Sequence, residues 1–294
     1  MQYIEDFLLY LCAERGYSQR TADTYGASLR DFRRFCLSLE GQPDWEHVDA
    51  DVVRQWMAAE MQRGCTGRYV AKQLSALRSF YRYLLRMQRV QHDPVRLVKN
   101  PKVHLPLPTF LKDSEVDRLF DGVTYPEGFE GQRDRLVLLT FYHTGIRLSE
   151  LRGVDLTDVD LVRGELKVTG KRNKQRIVPF GRELQQALEN YLPLRAELAP
   201  ETEHALFLND RGHRMGLSLI YETVHRYLSL VTTQKKKSPH VLRHTFATTM
   251  LNNGADLEAI RDLLGHESIQ TTEVYTHTTF ADLKKEYEHA HPRA

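Results

Sequence analysis

The sequence has few cysteines and no long apolar run, and both absences limit the classes of protein it can encode. Its three cysteines, Cys12, Cys36 and Cys65, are odd in number and widely spaced, which favours free buried thiols over a disulfide framework. No stretch approaches the ~20 uncharged apolar residues of a membrane-spanning helix, and the first residues lack the basic start of a secretory signal. We therefore expect a cytoplasmic protein with no membrane partner.

The chain as a whole also lacks an excess of one charge. Its net charge is +2, so a polyanionic partner has to be inferred from the distribution of charges. Between Arg63 and Lys99 the chain is rich in basic residues, and Asp93 is the only acidic one. Two further basic clusters follow, one at Lys171, Arg172, Lys174 and Arg176, the other at Lys235, Lys236 and Lys237.

Helical periodicity dominates the first hundred residues. Ser18 can cap a helix that runs to Phe35 with one apolar face, and a second helix is expected before Gly64. A third helix, over about residues 66–89, has the clearest pattern. We therefore predict that this part of the chain is a helical domain.

The third predicted helix carries basic side chains on one side and apolar ones on the other. At about 100° per residue, the basic positions fall within an arc of roughly 120°. A charged stripe is most often a solvated surface, but a surface helix normally mixes both signs, and this one has no acidic residue. We therefore expect the stripe to contact DNA phosphates. Its residues are Arg68, Lys72, Arg78, Arg82, Arg86 and Arg89.

A proline-containing segment separates this helical part from the rest of the chain. Prolines favour extended backbone over helix, as in an interdomain linker. We predict a helical domain over residues 1–100, a linker over 101–109 and a second domain over 110–294. The prolines are Pro94, Pro101, Pro106 and Pro108.

The second domain is predicted to combine helices with one hairpin. Two strands, at 165–168 and 176–179, are joined by a polar turn that carries Lys171. The fold class is therefore mainly α with a small antiparallel β-sheet. Helices are predicted at 114–120, 133–143, 147–152, 182–195, 217–231, 241–252 with Gly254 as the C-cap, and 257–264.

The second domain contains several cationic and imidazole side chains, and a tyrosine follows them in the sequence. Arginine neutralises phosphate oxygens well, because its planar fork donates two hydrogen bonds and keeps its charge. A tyrosine becomes a nucleophile when a base or a positive field helps to remove its proton, and a lysine can protonate a leaving oxygen. The set suits attack on a DNA phosphodiester. It consists of Arg147, Lys171, His240, Arg243, His266 and Tyr275.

Each member also has an ordinary explanation. A lone tyrosine is usually a packing residue, and Arg147 could form a surface pair with Glu150. His240 and His244 are four residues apart and could bind a metal ion. This half of the chain offers neither a cysteine nor a His-Glu-x-x-His string to complete a zinc site, so we expect no metal.

Taken together, the order, the spacing and the local strings resemble the tyrosine recombinases, and within them the Xer site-specific recombinases of bacteria. The resemblance covers nearly the whole chain, with its most specific strings at 144–151, 169–179, 239–249 and 264–277. The catalytic pattern of the family, Arg, Lys, His-x-x-Arg, His and Tyr, falls on the six residues named above without substitution.

Two further positions can be compared with the family. Glu150 matches an acidic position that holds the site's histidine or arginine in place. Arg172 is a departure, because relatives often have glycine after the lysine; it could stiffen the hairpin or add a phosphate contact.

The resemblance implies a two-domain clamp on duplex DNA, in which a helical, SAM-like core-binding domain faces an α+β catalytic domain. The tyrosine would attack the scissile phosphate, as in a type IB topoisomerase, and leave a 3′-phosphotyrosyl link and a free 5′-hydroxyl. A 5′-hydroxyl from a partner duplex would reverse the reaction. The covalent link keeps the bond energy, so no nucleotide, metal or other cofactor is implied.

The resemblance also assigns a role to each catalytic residue. Arg147, Arg243 and His266 would stabilise the transition-state oxygens. His240 would assist proton transfer at Tyr275, and Lys171 would protonate the leaving oxygen.

The expected partners are a duplex DNA recombination site and further protomers that form a tetramer on two duplexes. A paralogous recombinase and a DNA translocase are additional candidates. Phe280, Leu283 and Tyr287 form a short apolar stripe that must dock somewhere. In the family the last helix packs into a neighbouring protomer, and we favour that over docking on its own domain.

Chromosome-dimer resolution is the favoured role, because the length is compact and the ending is Xer-like. An integrase of a mobile element would share every catalytic residue. A non-catalytic DNA-binding regulator would form no covalent DNA adduct, and a metal-dependent phosphodiesterase would lose its activity in chelator.

Overall fold

The computed structural model describes residues 2–102, 109–170, 173–265 and 280–294. Two compact units divide the chain, Met1–Pro106 and Leu107–Ala294, and each has its own apolar core. The secondary structure is mainly α with one small antiparallel sheet, which confirms the predicted fold class. No helix in these ranges is long and apolar enough to cross a membrane.

The described part of the first unit is helical, and side-chain caps explain where two of the helices begin. The Ser18 hydroxyl accepts a hydrogen bond from the Thr21 N–H, and Thr66 does the same for the Tyr69 N–H, which satisfies N–H groups left free at a helix start. The helices are α1 (Gln2–Ala13), α2 (Gln19–Ser38), α3 (Ala50–Gln62) and α4 (Gly67–Arg86).

Two details of this unit differ from the prediction. Helix α1 was missed, although its buried residues Ile4, Phe7 and Leu11 follow helical spacing and Phe7 packs edge-on against Phe80 at 5.3 Å between ring centres. Helix α4 ends at Arg86 rather than at residue 89, because Gln88 has a φ of +53°, a left-handed conformation that cannot continue the helix.

The second unit combines its helices with a three-stranded sheet of order β1-β2-β3. The predicted hairpin is confirmed, with Leu166 opposite Val178 in antiparallel register, whereas the two-residue β1 was missed. The strands are β1 (Val159–Asp160), β2 (Glu165–Thr169) and β3 (Gln175–Pro179). The helices are α5 (Asp113–Asp117), α6 (Phe129–Thr144), α7 (Leu148–Gly153), α8 (Arg182–Leu198), α9 (Leu217–Val231), α10 (Pro239–Asn252), α11 (Leu257–Leu264) and α12 (Phe280–Ala290).

Some predicted boundaries in this unit were wrong. The predicted helix at 114–120 is the short α5 followed by a π-helical turn, Arg118–Gly122. Helix α10 has Asn253 as its C-cap, not Gly254. Gly254 follows with a φ of +89°, the left-handed residue that commonly comes just after a helix.

The three cysteines are free thiols, as expected, but only Cys36 is buried. Cys12 and Cys65 are half-buried, so the prediction that all three thiols are buried was wrong. Cys12 follows the apolar face of α1 by one residue, and Cys65 lies in the turn before α4, where Glu60 accepts a hydrogen bond from its Sγ at 3.3 Å.

The C-terminal helix α12 packs on its own unit within the single chain, and docking on a neighbouring protomer stays a prediction. Tyr287 is fully buried, and its hydroxyl lies 3.1 Å from His143 Nδ1 of α6. Asn253 donates to the Ala290 carbonyl at 2.8 Å. The Tyr287 ring also stacks on His291, at 5.0 Å between ring centres.

Candidate active site

Arg147 occupies the N-cap position of α7, and Glu150 closes the first turn of that helix. The Arg147 N–H donates to Glu150 Oε2 at 2.8 Å and its Nη1 donates to Oε1 at 2.7 Å. Both bonds run from Arg147 to the carboxylate, and the first is the glutamate half of a capping box. The Glu150 side chain is 1% exposed, whereas that of Arg147 is 36% exposed. The two residues therefore do not form a surface pair, and the guanidinium remains accessible.

Arg176 is a second arginine on the same carboxylate, and it was counted above only as a member of a basic cluster. Its Nη1 and Nη2 donate to the two oxygens of Glu150, both at 3.0 Å. Burial alone would raise the pKa of Glu150, but hydrogen bonds from Arg176 and Arg147 lower it from 4.5 to about 2. Glu150 is therefore a carboxylate with both oxygens fully used.

Strand alternation gives a signal that could have identified Arg176. Arg176 lies opposite Val168 and two residues before Val178, and both valines are buried. Cross-strand partners and residues two apart share one face of a sheet. An arginine at such a position needs a buried partner, and Glu150 is the acid that the fold supplies.

Arg243 lies on α10 and is buried beside Arg147. Its Nη1 donates to the Gly145 carbonyl at 2.5 Å and its Nη2 to the Leu264 carbonyl at 2.8 Å. Burial, followed by repulsion from Arg147, lowers the pKa of Arg243 from 12.5 to about 10. Arg243 thus stays charged at neutral pH in a place where an anion would relieve the repulsion.

Three arginines converge on three successive carbonyls at the end of α11. Arg176 Nε donates to Leu263, Arg243 to Leu264, and Arg147 Nη2 to Gly265, at 2.8 Å in each case. The last carbonyls of a helix have no partner within it and carry a partial negative charge. The helix end therefore gathers three guanidinium groups around one carboxylate, which leaves an excess of positive charge.

His240 and His244 are exposed one turn apart on α10. Burial and then the neighbouring His240 lower the pKa of His244. Within the described ranges, no group of three or more His, Cys, Asp or Glu side chains could hold a metal ion. Because its side chain is exposed, His240 is open to solvent at the start of the helix that carries Arg243.

Lys171, Arg172, His266 and Tyr275 lie outside the described residues. The structure does describe Gly170 and Gly265, which directly precede Lys171 and His266. Gly170 donates to the Lys174 carbonyl at 2.7 Å and so closes the turn of the hairpin. The structure therefore brings together Arg147, Glu150 and Arg243 of the predicted set.

The basic stripe of α4 forms a separate feature of the first unit, and its members differ. Arg68, Lys72 and Arg82 are exposed. Arg86 donates to the Tyr10 hydroxyl at 3.0 Å. Arg78 is half-buried, and donates to Asn100 Oδ1 at 2.8 Å and to the Val98 carbonyl at 2.7 Å.

These contacts divide the stripe into two groups. Arg78 holds the segment that follows helix α4 at Val98 and Asn100, so its guanidinium already has partners within the chain. The exposed residues of the stripe, by contrast, have side chains open to a ligand.

Family models match both units of the chain. The phage integrase family matches residues 109–282, and the N-terminal SAM-like domain of phage integrases matches residues 4–88. The chain belongs to the phage integrase family, the tyrosine recombinases, which confirms the resemblance found in the sequence. It is a site-specific DNA breaking and rejoining enzyme.

Within that class the chain is similar to proteins named tyrosine recombinase XerC. The protein from Chlorobaculum tepidum is 40% identical, with 100% of this chain and 95% of the relative covered. The one from Pelotomaculum thermopropionicum is 38% identical, with 99% and 98% covered.

Solved structures have the same fold. The post-cleavage complex of the XerH recombinase with a palindromic difH substrate has a TM-score of 0.78 at 21% identity, covering 96% of this chain and 93% of that one. A lambda integrase dimer bound to a COC′ core site has a TM-score of 0.70 at 16% identity, covering 92% and 95%.

Proposed function

We propose that Tyr275 attacks a DNA phosphate and forms a 3′-phosphotyrosyl link, while Arg147 and Arg243 neutralise the non-bridging oxygens. This proposal rests on one observation: Arg147 donates a hydrogen bond to the Gly265 carbonyl, and Arg243 donates one to the neighbouring Leu264 carbonyl. Donors fixed before the reaction need no reorganisation as charge develops, which makes them effective in the transition state.

The charges at this site favour a phosphate ligand. Arg147, Arg176 and Arg243 carry three positive charges, and Glu150 is the acid that binds two of them. Burial, and then repulsion from Arg147, already lower the pKa of Arg243. A phosphodiester beside the accessible Arg147 would supply the missing negative charge and stabilise both guanidinium groups.

The remaining roles follow the catalytic pattern of the family. Lys171 comes directly after Gly170 and would protonate the leaving 5′ oxygen. His266 comes directly after the anchored Gly265 and would bind a phosphate oxygen, and His240 would assist proton transfer at the tyrosine. Arg172 would add a phosphate contact from the hairpin turn. Glu150 would keep Arg147 in place and would not touch the DNA.

The basic stripe of α4 is proposed to bind the phosphates of the same duplex. Arg68, Lys72, Arg82 and Arg86 would supply these contacts, and Arg78 would contribute less because Asn100 and Val98 bind its guanidinium. The predicted domain organisation, 1–100, 101–109 and 110–294, is then that of a clamp.

The cellular role that we propose is resolution of chromosome dimers at a dedicated DNA site in the cytoplasm. Four protomers would act on two duplexes, together with a paralogous recombinase and under the control of a DNA translocase. Full-length similarity to proteins named tyrosine recombinase XerC supports this role.

Covalent trapping on a nicked suicide duplex tests the chemistry. In such a substrate the cleaved fragment diffuses away, so the covalent intermediate accumulates. We would incubate the protein with candidate recombination sites in chelator and without ATP, and compare it with Tyr275→Phe on a denaturing gel. The proposal predicts a shifted band only with the tyrosine. A protein that binds a site tightly and gives no band on it would instead be a DNA-binding regulator.

A further inference from the structure

Arg176 is a half-buried basic residue that the proposed catalytic roles leave without a function. It lies on β3, just after the hairpin turn, and its side chain is 16% exposed. Three of its nitrogens already have acceptors, two on Glu150 and one on Leu263. A side chain held in this way is placed to support its neighbours rather than to meet the DNA.

Arg147 is held by two groups, and Arg176 contacts both of them. The first is Glu150, which accepts from Arg147 Nη1 at 2.7 Å. The second is the end of α11, where Gly265 accepts from Arg147 Nη2 at 2.8 Å. Arg176 donates to that same carboxylate and to Leu263, two residues before Gly265. Loss of Arg176 would therefore weaken both supports at once.

The fit between Arg176 and Gly265 is close. Gly265 has a φ of +63°, and a Cβ added there would lie 2.9 Å from Arg176 Nη1. The guanidinium thus packs directly on the backbone that receives Arg147. This contact makes the spacing between β3 and the end of α11 depend on the Arg176 side chain.

Charge gives Arg176 a second effect on Arg147. The paired Arg176 and Glu150 have no net charge, so the charge of Arg147 remains available to a phosphate. Without Arg176, the Glu150 carboxylate would depend on Arg147 for neutralisation and would draw its guanidinium away from the DNA.

We propose that Arg176 is a positioning residue for DNA cleavage, which holds Arg147 against the scissile phosphate through Glu150 and the end of α11. The inference rests on the proposed function, because it assumes that Arg147 neutralises that phosphate. It assigns Arg176 no direct contact with the DNA.

The test compares two suicide duplexes in each protein. One has an ordinary scissile phosphodiester, and the other has a methylphosphonate, in which a methyl group replaces a charged oxygen. Arg176→Met removes the guanidinium group, and Arg176→Lys keeps the positive charge without the planar guanidinium. A group that acts by neutralising phosphate matters less when the phosphate is already neutral.

We expect Arg176→Met to slow cleavage of the phosphodiester about 100-fold, as expected for a misplaced catalytic group. Cleavage of the methylphosphonate by Arg176→Met should slow about tenfold or less. Arg147→Ala should show the same ratio between its effects on the two substrates. Arg176→Lys should fall between wild type and Arg176→Met. The double variant Arg147→Ala/Arg176→Met should be no slower than Arg147→Ala alone, because residues that act as a unit are not additive.

Lys167→Met is the matched control. Lys167 lies on the neighbouring strand β2 and pairs with Asp158 at 2.7 Å, away from Arg147. It should leave both cleavage rates unchanged. The ratio of the two rates within one protein does not depend on how much of it is folded, and Arg176→Lys supplies this ratio if Arg176→Met does not fold.

Two results would overturn the inference. Equal slowing of both substrates would show that Arg176 acts on folding or on another step, and a double variant slowed by the product of the single effects would show independent action. Failure of the proposed function is distinguishable, because the wild-type protein would then form no Tyr275-dependent adduct on either substrate.

Discussion

Arg147 and Arg243 donate hydrogen bonds to the carbonyl groups of adjacent residues, Gly265 and Leu264, at 2.8 Å each. They come from α7 and α10, so one short segment sets the distance between two side chains that are far apart in sequence. Any change that moves this segment moves both arginines.

Gly145→Ala should displace that segment. Gly145 has a φ of +58°, and a Cβ there would lie 2.5 Å from Phe246 Cδ1 and 2.8 Å from Leu264 Cδ2. We expect strain of about 1–3 kcal/mol and a matching loss of unfolding free energy, together with slower cleavage of bound DNA. Thermal melting and single-turnover cleavage measure the two effects.

Gly153→Ala is the control for this prediction. Gly153 ends α7, and a Cβ there meets nothing within 4 Å. Its replacement should preserve both stability and cleavage. A Gly145→Ala protein that melts and cleaves like wild type would contradict the packing described here.

Sequence patterns identified Arg147, Glu150 and Arg243 because each lies in a short local string of the family. Arg176 escaped because its role depends on contacts with residues 26 and 87 positions away in the chain. The end of α4 was missed because the conformation of Gln88, not the apolar periodicity, ends the helix. The end of α10 at residue 252 was predicted correctly, and only its C-cap residue differs.

Docking of α12 illustrates the same limit. The sequence shows the apolar stripe of Phe280, Leu283 and Tyr287, but it does not identify the surface on which the stripe packs. The buried hydrogen bond between Tyr287 and His143 joins positions too distant for any periodicity to relate.

Glu150→Gln should change how stability depends on pH. The pKa of Glu150 is about 2 in the folded protein, below its ordinary 4.5. A lowered pKa means stability that is present above pH 4.5 and lost as the pH falls towards 2. The shift corresponds to about 3 kcal/mol, which the glutamine variant should lack.

Urea unfolding between pH 5 and pH 3 would measure this difference. The wild-type curve should approach that of Glu150→Gln as the pH falls. Asp160→Asn is a suitable control, because the Asp160 carboxylate contacts Arg163 and not Arg147 or Arg176. Parallel curves for wild type and Glu150→Gln would mean that the arginines do not depend on the carboxylate charge.

The division of the α4 stripe predicts two different phenotypes. Arg68→Gln with Lys72→Gln should weaken DNA binding and reduce the slope of log affinity against log salt by about 2, close to one per lost phosphate contact. Arg78→Gln should instead lower the melting temperature of the first unit, since it loses the bonds to Asn100 and Val98.

Binding titrations at several salt concentrations and thermal melting separate these outcomes. Arg54→Gln is the control, as Arg54 is exposed on α3 beside Asp51 and off the stripe. An unchanged salt slope in the Arg68 and Lys72 variant would identify the stripe as ordinary surface.

A buried histidine pair beneath α12 should make the second unit sensitive to acid. The rings of His143 and His291 stack at 4.7 Å between centres, with Tyr142 and Tyr287 against them. Burial lowers the pKa of both histidines below 6.5. Nearby, His143 Nε2 lies 3.4 Å from Glu183 and Arg293 donates to the same carboxylate at 3.0 Å. Both residues help to lower the pKa of Glu183 to about 2 against the effect of burial, so that carboxylate stays charged over the same range.

A histidine with a lowered pKa contributes stability above pH 6.5 that is lost as the pH falls below it. His291→Phe keeps the ring contacts and removes one proton site, so its melting temperature should fall less than that of wild type between pH 7.5 and about 5.5. His289→Gln, on the exposed side of α12, should follow the wild-type curve. Identical pH dependence in wild type and His291→Phe would show that the pair stays neutral throughout this range, and that the acid sensitivity of the unit comes from other groups.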